Sequence, residues 1–257
     1  MGTRGSAGSG GSADSPWIVD FTPGRHPRLR LLCFPYAGGG ANLYRGWARG
    51  LPHWVGVGAV QLPGREGRFS ESLVDRAGPV VAGVADALAG YGAPAPLALF
   101  GHSMGAVLAF EVARALRLRN AGQPCHLFIA GRTPPAHPTA PRPISGLPEE
   151  ELIRELERLG GTPPEVLGDG ELMRLMLPMV RADFRLNETW RPSAGPPLSC
   201  PLTTFAGAED PEAPPDAMVG WEAETTGPVE HHVLPGGHFF PVGSRAELLE
   251  RITSILR

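Results

Sequence analysis

The chain has 257 residues, of which 42% are hydrophobic, 19% charged and 7% aromatic. That is enough to bury the core of one large α/β domain or two small ones. A net charge of −3, from 23 basic and 26 acidic side chains, argues against a general nucleic-acid binder held by electrostatic attraction. Gly and Pro number 35 and 29, close to a disorder-prone composition, but the apolar runs are too regular for a disordered chain.

The Gly/Ser-rich opening predicts a flexible tail over residues 1–15. Met1 to Ser6 also fits the loose myristoylation pattern, a weaker reading than a plain tail for that composition. No basic-then-apolar leader is present. The best candidate for a membrane span, Pro79 to Leu99, is broken by Asp86 and by several Gly and Pro. The expectation is a chain with no membrane association, in the cytoplasm. Cys33, Cys125 and Cys200 lie far apart in apolar, strand-like runs, with no metal-clip or disulfide spacing. They read as buried reduced thiols.

After the tail, short apolar runs alternate with helical patterns. Strands are predicted over Arg28–Pro35, Val55–Leu62, Pro96–Phe100, Cys125–Ala130, Pro201–Ala206 and Glu230–Leu234. Helices are predicted over Ala41–Leu51, Asp75–Leu88, Met104–Asn120, Asp216–Glu224 and Ser244–Leu256. This alternation implies an α/β fold with a mostly parallel sheet flanked by helices. In such sheets, functional residues collect beyond the C-terminal ends of the strands. The alternation breaks between Ser145 and Trp190, where two helical patterns, Glu149–Leu159 and Glu171–Thr189, follow each other without a strand. The simplest organisation is a core from 16–144 and 191–257 with a helical insertion at 145–190 over the sheet edge. Met173, Met176 and Met179 interleave in the second helix, as core filler or as the lining of a pocket.

Gly101-His102-Ser103-Met104-Gly105 follows the apolar strand ending at Phe100 and precedes a helix. That is the strand–turn–helix setting of a G-x-S-x-G nucleophile elbow. A serine in such a strained turn projects its hydroxyl outward, and glycine on both sides avoids clashes with neighbouring chain. The Met104 amide opens the helix and can stabilise an oxyanion. A second donor is expected in Phe34-Pro35-Tyr36-Ala37-Gly38-Gly39-Gly40-Ala41, from the amide of Tyr36 or Ala37. A phosphate-cradling role for this loop is disfavoured, because no Lys-Ser/Thr follows and the G-x-G-x-x-G spacing is absent.

A nucleophilic serine needs a base, and the base needs an acid to fix its tautomer. Of eight histidines, His238 alone follows a strand inside a Gly-rich turn shortly before the last helix. His231 and His232 fall within the strand and read as structural, and His102 lies too awkwardly in the elbow to serve. For the acid, Asp210 and Glu209 both follow the Pro201–Ala206 strand. Asp210, held in an extended or turn conformation by Pro211, is the preferred choice. The order Ser103, Asp210, His238 is that of the α/β-hydrolases.

These segments, with Gln61-Leu62-Pro63-Gly64-Arg65-Glu66 and Gly236-Gly237-His238-Phe239-Phe240, resemble the type II thioesterases that accompany polyketide synthases and nonribosomal peptide synthetases. The resemblance runs from about Leu31 to Ile255. It implies the α/β-hydrolase fold, a lid formed by the 145–190 insertion, and Ser103, Asp210 and His238 as nucleophile, acid and base. It also implies the amides of Ala37 and Met104 as oxyanion donors. The implied partners are acyl or peptidyl carrier proteins, whose phosphopantetheine arm presents the acyl thioester. The implied enzyme is a monomer with no metal and no cofactor of its own. Tyr36, Met173, Met176 and Met179 are the candidate substrate-binding side chains. Tyr36 and Gly40 stand where many members of the family carry His and Ser. A carboxylesterase, an acyltransferase and a non-catalytic carrier-protein binder are the competing readings.

Overall fold

The computed structural model describes residues 15–90, 95–137 and 143–257. Apart from Ser15, the expected tail and the Met1–Ser6 pattern lie outside the described residues. Seven strands form one sheet: β1 (Ile18–Asp20), β2 (Leu29–Phe34), β3 (Val55–Val60), β4 (Leu97–His102), β5 (His126–Ala130), β6 (Leu202–Gly207) and β7 (Val229–Leu234). Their spatial order is β1-β3-β2-β4-β5-β6-β7. All neighbouring pairs are parallel except β1 with β3. The short antiparallel edge strand β1 has no counterpart among the predicted strands. Three residues give too short a run for a period-two pattern to register.

Nine α-helices are present among the described residues: α1 (Trp47–Gly50), α2 (Ala77–Gly90), α3 (Met104–Leu118), α4 (Glu149–Leu159), α5 (Pro164–Leu167), α6 (Gly170–Thr189), α7 (Pro215–Met218), α8 (Phe240–Gly243) and α9 (Arg245–Ile255). The helix expected over Ala41–Leu51 is broken into a 3-10 turn at Ala41–Tyr44 and the single turn α1. The one expected over Asp216–Glu224 likewise becomes α7 followed by a 3-10 turn at Val219–Glu224. No helix among the described residues is long and apolar enough to cross a membrane.

Successive side chains of a strand point to opposite faces of a sheet, and the core divides accordingly. Leu32, Phe34 and Leu99 pack with Val84, Leu108 and Val112 of α2 and α3. Leu31, Cys33 and Phe100 pack on the other face with Trp47, Leu248 and Ile252. Between β5 and β6 the chain leaves the sheet for α4, α5 and α6. The sequence pattern had suggested two helices here; the one-turn α5, opened by Pro164, is too short to be read from periodicity. These helices carry a small core of their own, built from Ile144, Leu152, Leu156, Met173, Leu177 and Val180. All three cysteines are free. Cys33 and Cys200 are buried, but Cys125 is only half-buried, because it enters β5 from the loop.

Candidate active site

Because β2, β4, β6 and β7 run parallel, the loops that follow them emerge at one rim of the sheet. Ser103 follows β4, the central strand. It holds φ 54° and ψ −116°, a left-handed conformation that costs a non-glycine residue on the order of 1–3 kcal/mol. Its amide is tied to the Ala130 carbonyl at 2.9 Å. A Cβ on Gly101 would overlap the Gly105 carbonyl, and one on Gly105 would overlap the Phe34 carbonyl. The two glycines therefore allow α3 to start hard against β2 and β4.

His238 enters from the turn after β7. Its Nε2 lies 3.1 Å from Ser103 Oγ and its Nδ1 lies 2.9 Å from Asp210 Oδ2. Asp210 is buried, whereas Glu209 is exposed, so the geometry selects Asp210 between the two neighbours. The Asp210 Oδ1 accepts the amides of Glu212 and Ala213 at 2.9 and 3.2 Å. Burial alone would push its carboxyl up. The hydrogen bond and charge of His238, with those two amides, outweigh burial and hold it below its usual value. Asp210 is thus kept as an acceptor, which leaves His238 Nδ1 as the donor and Nε2 free to accept from the serine.

His102 does not reach the Ser103 hydroxyl. It is buried, and its Nε2 lies 2.8 Å from the backbone oxygen of His238. Burial, reinforced by the neighbouring His238, lowers its pKa to about 3, so the ring is neutral and its Nε2–H donates. This anchoring of the His238 backbone had no signal in the sequence beyond the position of His102 in the elbow.

Ala37 lies on the loop after β2 and Met104 begins α3. Among the described residues, neither backbone amide is taken by an acceptor of the chain. A cavity of about 360 Å³ contains Ser103 and His238 and is bordered by Tyr36, Ala37, Phe184 and Phe239. A larger cavity of about 700 Å³ lies alongside and shares Tyr36, Ala37, Leu159, Phe184 and Phe239 as its wall. Tyr36 and Phe239 meet edge to face at 4.9 Å between ring centroids, a favoured aromatic geometry, and form part of this partition. Of the three methionines considered for a pocket, Met176 lines the larger cavity. Met173 is buried in the core of the helical segment, and Met179 packs against that core partly buried.

A second polar cluster joins the Tyr36–Gly40 loop to α6. Asp183 is fully buried; its Oδ2 accepts the Gly38 amide at 2.7 Å and Arg65 Nη1 at 2.6 Å. Its Oδ1 accepts Arg65 Nη2 at 2.7 Å, and Arg65 Nη1 also donates to the Gly39 carbonyl at 2.8 Å. Arg65 belongs to the Pro-Gly-Arg-Glu run, but Asp183 was missed. Its signal was a carboxylate in helical register with buried Val180 and Leu186, where an apolar residue is expected.

A strained serine on a strand–helix turn, with a histidine and a carboxylate from later loops of a parallel sheet, defines an α/β-hydrolase site. The thioesterase domain family model matches residues 29–256. The gramicidin S biosynthesis protein GrsT of Aneurinibacillus migulanus is 37% identical over 241 residues, spanning 94% of each chain. The structure of the RedJ thioesterase from the prodiginine pathway of Streptomyces coelicolor superposes with a TM-score of 0.84 at 42% identity, covering 89% of this chain and 91% of RedJ. The type II thioesterase BorB from the borrelidin cluster gives 0.85 at 37% identity, covering 94% and 98%. The chain belongs to the thioesterase domain family, and its fold is that of the α/β-hydrolases.

Proposed function

We propose that the chain is an editing, type II thioesterase that hydrolyses acyl groups from the phosphopantetheine arm of carrier proteins in polyketide or nonribosomal peptide biosynthesis. It acts as a monomer in the cytoplasm and needs no metal or cofactor of its own. The observation that carries this reading is the Ser103–His238–Asp210 relay at 3.1 and 2.9 Å, lying beside a cavity that can receive an acyl thioester. The named relatives, a type II thioesterase among them, support the choice of substrate class.

Each step has a residue to perform it. The arm enters beneath a lid formed by α4 to α6. His238 Nε2 takes the proton of Ser103 as Oγ attacks the thioester carbonyl, and Asp210 stabilises the imidazolium. The Ala37 and Met104 amides receive the negative charge that develops on the carbonyl oxygen. The C–S bond breaks, and the pantetheine thiol leaves with the proton from His238. Water, deprotonated by the same nitrogen, then attacks the acyl carbon; the bond to Oγ breaks, His238 returns the proton to Ser103, and the free acid leaves.

The test is a hydrolysis panel of short, long and branched acyl groups on carrier proteins, set against oxygen esters of the same acids. Faster cleavage of the carrier thioesters is expected. A strong preference for the oxygen esters would favour a carboxylesterase, and transfer of the acyl group to an added alcohol or amine would favour an acyltransferase.

A further inference from the structure

We infer that Arg65 and Asp183 are positioning residues for the oxyanion loop, through which the helical segment α4–α6 governs whether the site can stabilise an oxyanion. The inference rests on the hydrolase reading above and adds to it a pair that touches no substrate.

The loop makes a tight turn in which the Gly39 amide donates to the Tyr36 carbonyl at 2.9 Å and Gly38 adopts φ 81°. Ala37 and Gly38 are its two central residues, and a positive φ at the second one marks a type II turn. At its start the loop is pinned by the Tyr44 hydroxyl, which donates to the Phe34 carbonyl at 2.7 Å. At its end the Glu66 carboxylate accepts the Asn42 amide at 3.2 Å. Between these anchors, the two outward-facing backbone groups are held by charges: Gly38 N–H by Asp183 and Gly39 C=O by Arg65. The Ala37 amide is one peptide removed from the first of these contacts. If the Ala37–Gly38 peptide turned over, it would aim a carbonyl at a buried carboxylate, so the pair selects one state of the turn.

Asp183 stands on α6, 118 residues from Arg65. The two side chains are only 1% and 6% exposed, which makes separation costly, because either charge left alone would be buried and unpaired. A shift of α6 away from the sheet therefore either carries the loop with it or breaks the clamp. Closure of the helical segment and alignment of the Ala37 amide become one event.

The pair is tested by replacing it with apolar residues of similar size, Arg65→Met with Asp183→Leu, since such replacements commonly preserve folding. The readouts are the thermal midpoint, kcat and KM on a p-nitrophenyl acyl ester, and the affinity for two acyl analogues. One analogue is a trifluoromethyl ketone, which forms an oxyanion on Ser103; the other is a thioether, which does not. The expected result is a folded protein whose kcat falls roughly 10–100-fold, in line with a misplaced rather than deleted oxyanion donor. KM and thioether affinity should stay within about threefold, and ketone affinity should fall in step with kcat/KM. A folded double variant with kcat within about twofold of the parent overturns the inference, as does an equal loss of affinity for both analogues. If the double variant does not fold, Arg65→Lys decides on the same readouts, because it keeps the charge but loses the two-pronged grip. The p-nitrophenyl ester needs the oxyanion hole but no carrier protein. A parent that cleaves it yet ignores carrier thioesters would defeat the proposed function and leave this inference standing.

Discussion

Ser103 and His238, 135 residues apart in the chain, meet at 3.1 Å between Oγ and Nε2, and the serine reaches that point only by holding φ at 54°. The proposed nucleophile is therefore also the residue that bears the strain. Ser103→Ala is expected to keep the fold and lose hydrolysis by about four orders of magnitude or more. Covalent labelling by a sulfonyl fluoride should disappear with it. Ser103→Gly should be equally inactive yet more stable by about 1 kcal/mol, since glycine adopts a positive φ without penalty. At this chain length that is a rise in thermal midpoint of roughly 2–4 °C, readable by calorimetry.

The choice between two adjacent carboxylates can be checked directly. Asp210→Asn would present an amide N–H to His238 Nδ1 or fix the wrong tautomer, and kcat should fall about 10³–10⁴-fold. Glu209→Gln, at an exposed position, should stay within about twofold. Steady-state kinetics of the two variants side by side separates the roles. An unimpaired Asp210→Asn enzyme would remove Asp210 from the relay.

These loops were legible because each follows a strand, and a parallel sheet delivers all such loops to one rim. The elbow, the Gly-rich turn before His238 and the Asp210–Pro211 step are local signals. What could not be read is long-range or very short. The Arg65–Asp183 pair needs α6 to cross the loop after β2, which periodicity does not encode. β1 and α5 have three and four residues, too few for any period to repeat. Spacing alone could not divide the methionine stripe between core and pocket, because residues three apart on a helix share a broad face. That face here divides between the segment's own core and the larger cavity.

Tyr36 and Phe239 stand between the chamber holding Ser103 and the larger apolar one. Truncating either ring should join the two volumes. Tyr36→Ala is expected to shift the acyl-length profile of kcat/KM toward longer chains, by about tenfold for chains that gain several buried methylenes. A profile of straight-chain acyl thioesters checks this; an unchanged length preference would show that the partition does not limit the acyl chain.

Acid stability should reflect a histidine away from the site. His126 is packed against Phe128 and hydrogen-bonded to Thr203 Oγ1 at 2.8 Å. Burial lowers its pKa from 6.5 to about 4. Between those values the unfolded chain binds a proton that the folded chain refuses, so stability is lost as pH falls from 6.5 toward 4. The loss from this one residue is on the order of 2 kcal/mol. His126→Gln should flatten that part of the curve of urea midpoint against pH. An identical slope in the variant would assign the acid sensitivity elsewhere.

The most direct measurement is intact-protein mass spectrometry of a carrier protein loaded with an acyl-phosphopantetheine arm and mixed with the chain. The expected result is loss of the acyl mass from the carrier, a transient acyl adduct mapping to Ser103, and free acid as product. Deacylation should be absent with Ser103→Ala. An acyl mass that persists on the carrier, or one removed equally well by Ser103→Ala, would contradict serine-based thioester hydrolysis by this site.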